Sequence, residues 1–277
     1  MIETKNLIKK FDSFTAVDSL DLRIETGEFF GLLGPNGAGK TTTISLLSTL
    51  LLPTEGEILI DGQTLGRNRP DLKRKISVIT QEYSMRQDMN MDEIMEYQGR
   101  LYFMPRKEIK RKTEELLDFC GLLPFRKRTV RKLSGGMKRK LMVCRALLTS
   151  PEILLLDEPT AGMDALSRRQ MWNLLRQLNG KNLTILLTTH YMEEAQSLCN
   201  RVALMDHGKL EEINTPSGLI DGLGKYTVDQ ETPEWGKKPL LPQSGRGHLF
   251  SVLSGRTVHP SGDNSGGWFL WSAQAGI

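Results

Sequence analysis

Cysteine is scarce in this chain of 277 residues, which contains only three. The three cysteines, Cys120, Cys144 and Cys199, lie far apart and no two of them form a CxxC pair. A disulfide framework and a cysteine-ligated zinc site are therefore not indicated. We expect a protein of a reducing compartment, the cytoplasm.

Long apolar runs are also lacking. The segment 1–14 carries charged residues where a signal peptide needs an unbroken apolar core, and the apolar run Ile153–Leu156 ends in charge. Basic and acidic residues nearly balance, 37 against 33, which is mild for a nucleic-acid-binding protein. We therefore expect a globular protein that does not enter the membrane by itself and has no specific nucleic-acid partner.

Apolar periodicity predicts an alternation of strands and helices. The region 91–121 reads as helical, with Ile94, Leu101, Leu116 and Phe119 as candidate inward positions. The first strands suggest an antiparallel edge, and the succession after residue 134 predicts a mainly parallel sheet flanked by helices. Predicted strands are 2–7, 20–25, 29–33, 57–60, 75–79, 153–156, 184–188 and 202–205, and predicted helices are 41–51, 134–148, 166–178 and 192–199.

A glycine-rich segment, GPNGAGKT, lies between a predicted buried strand and a predicted helix. It fits the GxxxxGK[ST] phosphate-binding template in the context that the template requires. In this role Lys40 neutralises the β and γ phosphates of ATP, and the Thr41 hydroxyl ligates Mg²⁺. A plain glycine-rich turn is the alternative, and the motif alone also fits kinases, GTPases and helicases. The predicted nucleotide-binding residues here are Gly34, Pro35, Asn36, Gly37, Ala38, Gly39, Lys40, Thr41 and Thr42.

Two carboxylates, Asp157 and Glu158, end the predicted buried strand 153–156. Such a strand suits a Walker B element, in which the first acid holds Mg²⁺ through water and the second polarises the attacking water. The alternative is a core strand capped by solvated acids. The sequence LSGG at 133–136, upstream of this strand, favours the first interpretation, because it resembles the signature of the ABC ATPase family.

The resemblance runs in the family's order from residue 1 to about residue 222. It also covers Phe11 at the adenine-stacking position, Gln81 in the Q-loop, Asp164 in the D-loop and His190 as the switch histidine. It implies an α/β fold: a P-loop NTPase core with a mainly parallel sheet, an antiparallel β edge subdomain and a helical subdomain that carries the signature.

The resemblance also implies the roles of individual residues. Two such domains pair head to tail, and the signature residues Ser134, Gly135 and Gly136 bind the ATP held by the other domain. A hydroxyl and glycine amides at a helix start form an anion site, which fits this role. The implied catalytic residues are Lys40, Gln81, Glu158 and His190, and the implied Mg²⁺ ligands are Thr41, Gln81 and Asp157.

Within the family, the segments LSGGMKRKL (133–141) and TTHYMEEAQSLCNRV (188–202) resemble ATPases of ABC-2-type exporters, the daunorubicin-resistance and nodulation group. The expected partners are a separate integral membrane permease of ABC-2 type and a second, identical ATPase subunit. The expected location is the cytoplasmic face of the cell membrane, reached through the permease. The alternatives are a non-transport ABC ATPase of the DNA-repair or translation type, and a scaffold without hydrolysis.

We expect one ABC ATP-binding domain over 1–222, with a helical subdomain at about 85–150, and an irregular or divergent C-terminal tail over 223–277. The family's usual C-terminal ending, near LEDVF, does not occur. Four methionines, Met85, Met89, Met91 and Met95, follow the Q-loop. They form either an adaptable docking surface for the membrane partner or ordinary core.

Overall fold

The structure is a computed structural model that describes residues 1–81, 85–224, 259–260 and 268–269. Most of the predicted C-terminal tail lies outside the described residues. The strands are β1 (Ile2–Phe11), β2 (Phe14–Ile24), β3 (Phe29–Leu33), β4 (Glu55–Ile60), β5 (Gln63–Thr64), β6 (Ile76–Ile79), β7 (Ile153–Asp157), β8 (Thr184–Thr189), β9 (Arg201–Asp206), β10 (Lys209–Asn214), β11 (His259–Pro260) and β12 (Trp268–Phe269). The α-helices are α1 (Lys40–Leu47), α2 (Pro70–Arg74), α3 (Met91–Leu101), α4 (Arg106–Phe119), α5 (Gly135–Leu147), α6 (Ala165–Asn179), α7 (Met192–Leu198) and α8 (Pro216–Gly224).

A six-stranded sheet, in the order β10-β9-β3-β8-β7-β6, forms the centre of the fold. All of its neighbouring strands are parallel except β10, which runs antiparallel to β9. In register, Leu33 pairs with Thr189 and Asp157 pairs with Thr188. The carboxyl ends of β3, β7 and β8 therefore lie side by side, and the loops that leave them share one edge of the sheet.

The two faces of this sheet pack against two separate apolar cores. Phe29 and Leu33 of β3 belong to the core on the side of α3 to α7, whereas Phe30 and Leu32 belong to the core shared with the antiparallel strands and α1. Because successive side chains of a strand point to opposite faces, a fully buried parallel strand must be apolar at every position. The buried strand β3 satisfies this condition, and β7 satisfies it up to its last residue, Asp157.

A second, antiparallel sheet has the order β2-β1-β4-β5 and is the predicted β edge. Helices α3, α4 and α5 lie between β6 and β7 in the chain, where the helical region was expected. The predicted α/β class, with a mainly parallel sheet, an antiparallel edge and a helical signature region, is confirmed. Helix α2 and the edge strand β10 were not predicted; no residue of β10 is fully buried, so the strand lacks a clear apolar pattern.

The prediction for Leu101 was wrong. Ile94 is buried, and Leu116 and Phe119 pack partly buried against the core, but Leu101 is 55% exposed. It lies at the end of α3, after which the chain turns through Phe103 and starts α4 beyond Pro105. Proline cannot continue a helix, so the region 91–121 is two helices and the inward face of the first ends before Leu101.

The methionine run is core. Met91 and Met95 are fully buried, Met85 is buried at 7% exposure, and Met89 packs partly buried against the same apolar cluster. The docking-surface interpretation of these four side chains is therefore not supported, and a charge placed at Met85 would perturb folding. Within the described part of the chain, no helix combines the length and apolarity needed to cross a membrane.

Candidate functional site

The loop between β3 and α1 is shaped by glycines. A Cβ at Gly34 would lie 2.2 Å from the Met205 carbonyl oxygen, and one at Gly39 would lie 2.4 Å from that of Ala16. Gly39 also has φ +98°, in the left-handed region that favours glycine. The loop can therefore pass this close to neighbouring backbone only with glycine at both positions, and a tightly turned glycine-rich backbone before a helix suits a phosphate cradle.

Lys40 begins α1 and is held inside this loop. Its Nζ donates to the carbonyl oxygens of Gly34 at 2.8 Å and Pro35 at 2.9 Å. Burial lowers the pKa of the Lys40 ammonium, and the carboxylates of Glu158 and Asp157 oppose that shift. The amine is thus a buried cation whose nearest partners are two neutral carbonyls, an arrangement that suits exchange for phosphate oxygens.

Asp157, at the end of β7, joins α1 to β8. Its Oδ1 accepts from the Thr188 hydroxyl at 2.6 Å and from the Thr41 hydroxyl at 3.2 Å. Thr41 and Asp157 are 116 positions apart in the chain but meet because β3 and β7 end at the same edge of the sheet. The role of Thr188 was missed from the sequence, because β8 contains three threonines and nothing local distinguishes this one.

The donor set at Thr41 and Asp157 fits Mg²⁺. A hydroxyl and a carboxylate are hard oxygen ligands, and Mg²⁺ characteristically takes few protein ligands and keeps phosphates and waters. Among the described residues, no group of three or more His, Cys, Asp or Glu side chains could hold a metal ion by itself. An ion here would therefore depend on the oxygens of the nucleotide as well.

Glu158 and His190 meet at the same edge. His190 Nδ1 lies 3.1 Å from Glu158 Oε1, and because a carboxylate accepts, the contact favours the tautomer protonated at Nδ1. Glu158 has φ 46°, an uncommon conformation for a non-glycine residue, and its N–H lies near the carbonyl and hydroxyl oxygens of Thr188, at 3.2 and 3.1 Å. The backbone thus turns sharply to direct this carboxylate away from the buried strand.

Arg139 is a further residue that sequence reasoning missed. It is 2% exposed, and its guanidinium donates to the carbonyl oxygen of Thr80 at 2.9 Å and to that of Glu158 at 3.5 Å. Arg139 thereby connects α5 with the backbone of the residue before Gln81 and with the backbone of Glu158.

The LSGG residues lie in a different place. Ser134 caps α5 by accepting from the Met137 N–H at 3.2 Å, and both Ser134 and Gly135 are exposed. Ser134 and Gly136 line a cleft of about 180 Å³ together with Met163, Ser167 and other residues. No residue of the loop 34–42 lines this cleft in the part of the chain that the structure describes.

The remaining predicted residues are placed individually. Phe11 ends β1, is 42% exposed and has Lys9 Nζ 5.0 Å from its ring centroid. Gln81 is exposed just beyond β6. Asp164 caps α6, and hydrogen bonding by Ser167 lowers the pKa of its carboxyl. Asn36 and Gly37 are exposed, Pro35 and Thr42 are half-buried, and Ala38 is buried.

The structure therefore joins Lys40, Thr41, Asp157, Glu158 and His190 through direct contacts and shared electrostatics. Within the described residues, Phe11, Gln81 and the segment 134–136 lie outside that network. Both the network and the capped segment contain groups suited to phosphate, but on separate elements of the fold.

Comparison with known proteins gives a consistent result. The family model described as "ABC transporter" matches residues 17–161. The daunorubicin/doxorubicin resistance ATP-binding protein of Streptomyces peucetius is 39% identical over 262 residues, which cover 95% of this chain and 78% of that protein. The linearmycin resistance ATP-binding protein of Bacillus subtilis is 37% identical over 232 residues, covering 84% of this chain and 75% of that protein.

Solved structures share the fold. An ATP-binding cassette solved as a dimer in a post-hydrolysis state with ADP and Pi is 28% identical, with a TM-score of 0.69 over 78% of this chain and 99% of that chain. The structure of cbiO1 from Clostridium perfringens, part of the ABC transporter complex cbiONQ, aligns with a TM-score of 0.74 over 79% of this chain and 90% of that chain at 24% identity. The chain belongs to the ABC transporter family, as one of its ATP-binding and ATP-hydrolysing subunits.

Proposed function

We propose that this chain powers export through a separate integral membrane permease of ABC-2 type, acting at the cytoplasmic face of the membrane as a pair of identical subunits. Similarity to resistance and Nod factor export ATP-binding proteins supports the export direction. The observation that carries the pairing is the separation of two phosphate-suited sites, the Lys40–His190 network and the exposed Ser134 segment.

In this proposal, Lys40 exchanges its two carbonyl partners for the β and γ phosphates of ATP. Thr41 and Asp157 would hold Mg²⁺, with Gln81 as a further ligand, and the ion would neutralise phosphate charge. Phe11 stacks on the adenine ring, and the backbone of residues 34–42 surrounds the phosphates.

Glu158 acts as the base that polarises the attacking water, and His190 orients Glu158 and contacts the γ-phosphate. The 3.1 Å contact between the two side chains supports this division of roles, since a base directed by a hydrogen-bonded neighbour is held in one orientation. With its proton on Nδ1, His190 leaves Nε2 as an acceptor in its neutral form and as a donor once it is protonated.

The signature segment 134–136 binds the ATP of the opposite subunit. Its exposed hydroxyl and the amides at the start of α5 suit a phosphate, and among the described residues the cleft beside them is not lined by the loop 34–42, which supports a nucleotide held by a second subunit. We assign this machinery to one domain, 1–222, whose helical subdomain spans about 85–150. No nucleotide-contacting residue in this assignment lies beyond residue 222.

Co-purification tests the transporter role. The tagged chain, expressed in its native host and extracted with mild detergent, should bring down an integral membrane protein, and reconstituting the pair in vesicles should stimulate ATP hydrolysis. Lys40→Ala is the matched control, because it should keep the membrane partner and lose the hydrolysis. Recovery of the chain with nucleic acid or ribosomes and without a membrane protein would contradict the proposal.

A further inference from the structure

A buried carboxylate outside the described network lies close behind it. Glu194, in the first turn of α7, is 1% exposed. Its Oε1 accepts from the Thr160 hydroxyl at 2.7 Å and from the Trp172 indole N–H at 3.0 Å. Thr160 and Trp172 are themselves buried, at 1% and 6% exposure. Burying a carboxylate costs free energy unless the carboxylate is well hydrogen-bonded. An apolar side chain would fill this position at lower cost, so the glutamate indicates a specific role.

The three residues belong to three different functional segments. Thr160 follows Glu158 by two positions, and Glu194 follows His190 by four. Trp172 lies on α6, the helix that Asp164 caps. One carboxylate oxygen therefore links the segment that carries the water-polarising acid, the helix that begins two residues after the switch histidine and the helix that begins at the D-loop.

We propose that Glu194 is a positioning residue that, through Thr160 and Trp172, holds Glu158 and His190 at their contact distance during hydrolysis. The inference rests on the proposed role of Glu158 as the base. The 3.1 Å contact between Glu158 and His190 spans two separate segments, each of which leaves the end of a strand and turns. The Thr188 hydroxyl connects the two strand ends directly, and the Glu194 hydrogen bonds add a second side-chain connection beyond them, which a low-dielectric environment strengthens.

Loss of the Glu194 hydrogen bonds should affect the rate of ATP hydrolysis rather than the binding of ATP. Neither Thr160, Trp172 nor Glu194 touches the loop 34–42 by any hydrogen bond seen in the described residues, so ATP affinity should be insensitive to them. Alignment of the base with the attacking water should be sensitive, because a displacement of about 1 Å from productive geometry costs on the order of a hundredfold in rate.

The test compares Thr160→Val, Thr160→Ser and Trp172→Phe with the parental full chain by steady-state kcat and KM for ATP and by nucleotide binding. Thr160→Val keeps the shape and removes the donor, and should lower kcat about tenfold or more while leaving ATP affinity within about twofold. Thr160→Ser restores the hydroxyl and should recover most of kcat. Trp172→Phe should lower kcat in the same way and provides a second variant if Thr160→Val does not fold.

A double-mutant cycle sharpens the result. If the residues act as one unit, Thr160→Val combined with Glu194→Gln should lose no more activity than the worse single variant, because effects within a network are not additive. A parental kcat in folded Thr160→Val and Trp172→Phe, or equal losses of kcat and ATP affinity, would overturn the inference. Glu158→Gln serves as the reference: if it hydrolyses ATP normally, the proposed base is wrong, whereas if it is inactive while Thr160→Val is not impaired, only the positioning role fails.

Discussion

Two regions of the chain carry groups suited to phosphate, and they are built differently. One is the strand edge, where Lys40, Asp157 and Glu158 lie, and the other is the helix start at Ser134. At the strand edge, every functional side chain has a partner within the chain, such as the Thr188 hydroxyl 2.6 Å from Asp157. At the helix start, Ser134 is exposed and its described side-chain bond is to its own helix. One region is assembled by the fold, and the other presents its groups outward.

This difference follows from topology. Parallel strands bring the ends of distant segments together, so Thr41 and Asp157, 116 positions apart, can form a hydrogen bond. A capped helix N-terminus is a local structure that needs no such assembly, and it can serve a phosphate held by any neighbouring molecule. Under the proposed function, each chain therefore supplies the strand edge to one ATP site and the helix start to the other. Mutations in these two regions should differ in their effects on stability and on hydrolysis.

The largest expected effect is that of Lys40→Ala. The phosphates lose the only side-chain cation of the loop 34–42, so we expect ATP turnover to fall about a hundredfold or more. Fluorescent nucleotide titration and an ATPase assay measure this loss. Lys110→Ala, an exposed lysine on α4, is the control and should behave as the parent. Near-normal turnover in Lys40→Ala would refute the assignment of the phosphate site.

A matched pair of glycines separates backbone strain from steric overlap in the same loop. Gly39→Ala adds a Cβ only 2.4 Å from the Ala16 carbonyl oxygen at φ +98°, whereas Gly37→Ala at φ +85° meets nothing within 4 Å. We expect Gly39→Ala to destabilise folding by about 2 kcal/mol or more and Gly37→Ala by about 1 kcal/mol. Urea unfolding measures both. Equal free energies of unfolding would contradict the close packing of the loop.

The smallest effect on stability is expected at the signature. Gly136→Ala places a Cβ 3.3 Å from Ser167 Oγ inside α5, where alanine is the better helix former. The free energy of unfolding should change by less than about 1 kcal/mol, while hydrolysis should fall several-fold because the partner's phosphate is kept at a distance. A strong loss of stability with unchanged hydrolysis would contradict the interpretation of the helix start as a local structure that serves the partner's nucleotide.

The sequence predicted those features that are local in the chain. The strand-loop-helix context of residues 29–47, the buried strand before Asp157 and the capped helix after Ser134 were all found, because each depends on periodicity and a short motif. The family's motif order then supplied Phe11, Gln81 and His190, whose roles no local pattern would have indicated.

The features that were missed depend on contacts between distant segments. Thr188, Arg139 and the Thr160–Glu194 pair act through partners that are 19 to 59 positions away, and a threonine, arginine or glutamate by itself carries no sign of such a partner. The inward placement of Leu101 failed for the opposite reason: a helical period was extended beyond the point where the chain turns toward Pro105. Leucine at a helix end is exposed whenever the core does not reach it.

The association state of Glu158→Gln in the presence of ATP tests the central claim most directly. Removing the base should stop hydrolysis while Lys40 and the loop 34–42 still bind ATP, so two unbroken nucleotides should join two subunits. Light scattering should show an ATP-dependent dimer of Glu158→Gln. Adding Ser134→Arg should dissolve it, whereas adding Gln177→Arg, an exposed position on α6, should not. A Glu158→Gln protein that stays monomeric at saturating ATP, or a dimer that survives Ser134→Arg, would contradict the account.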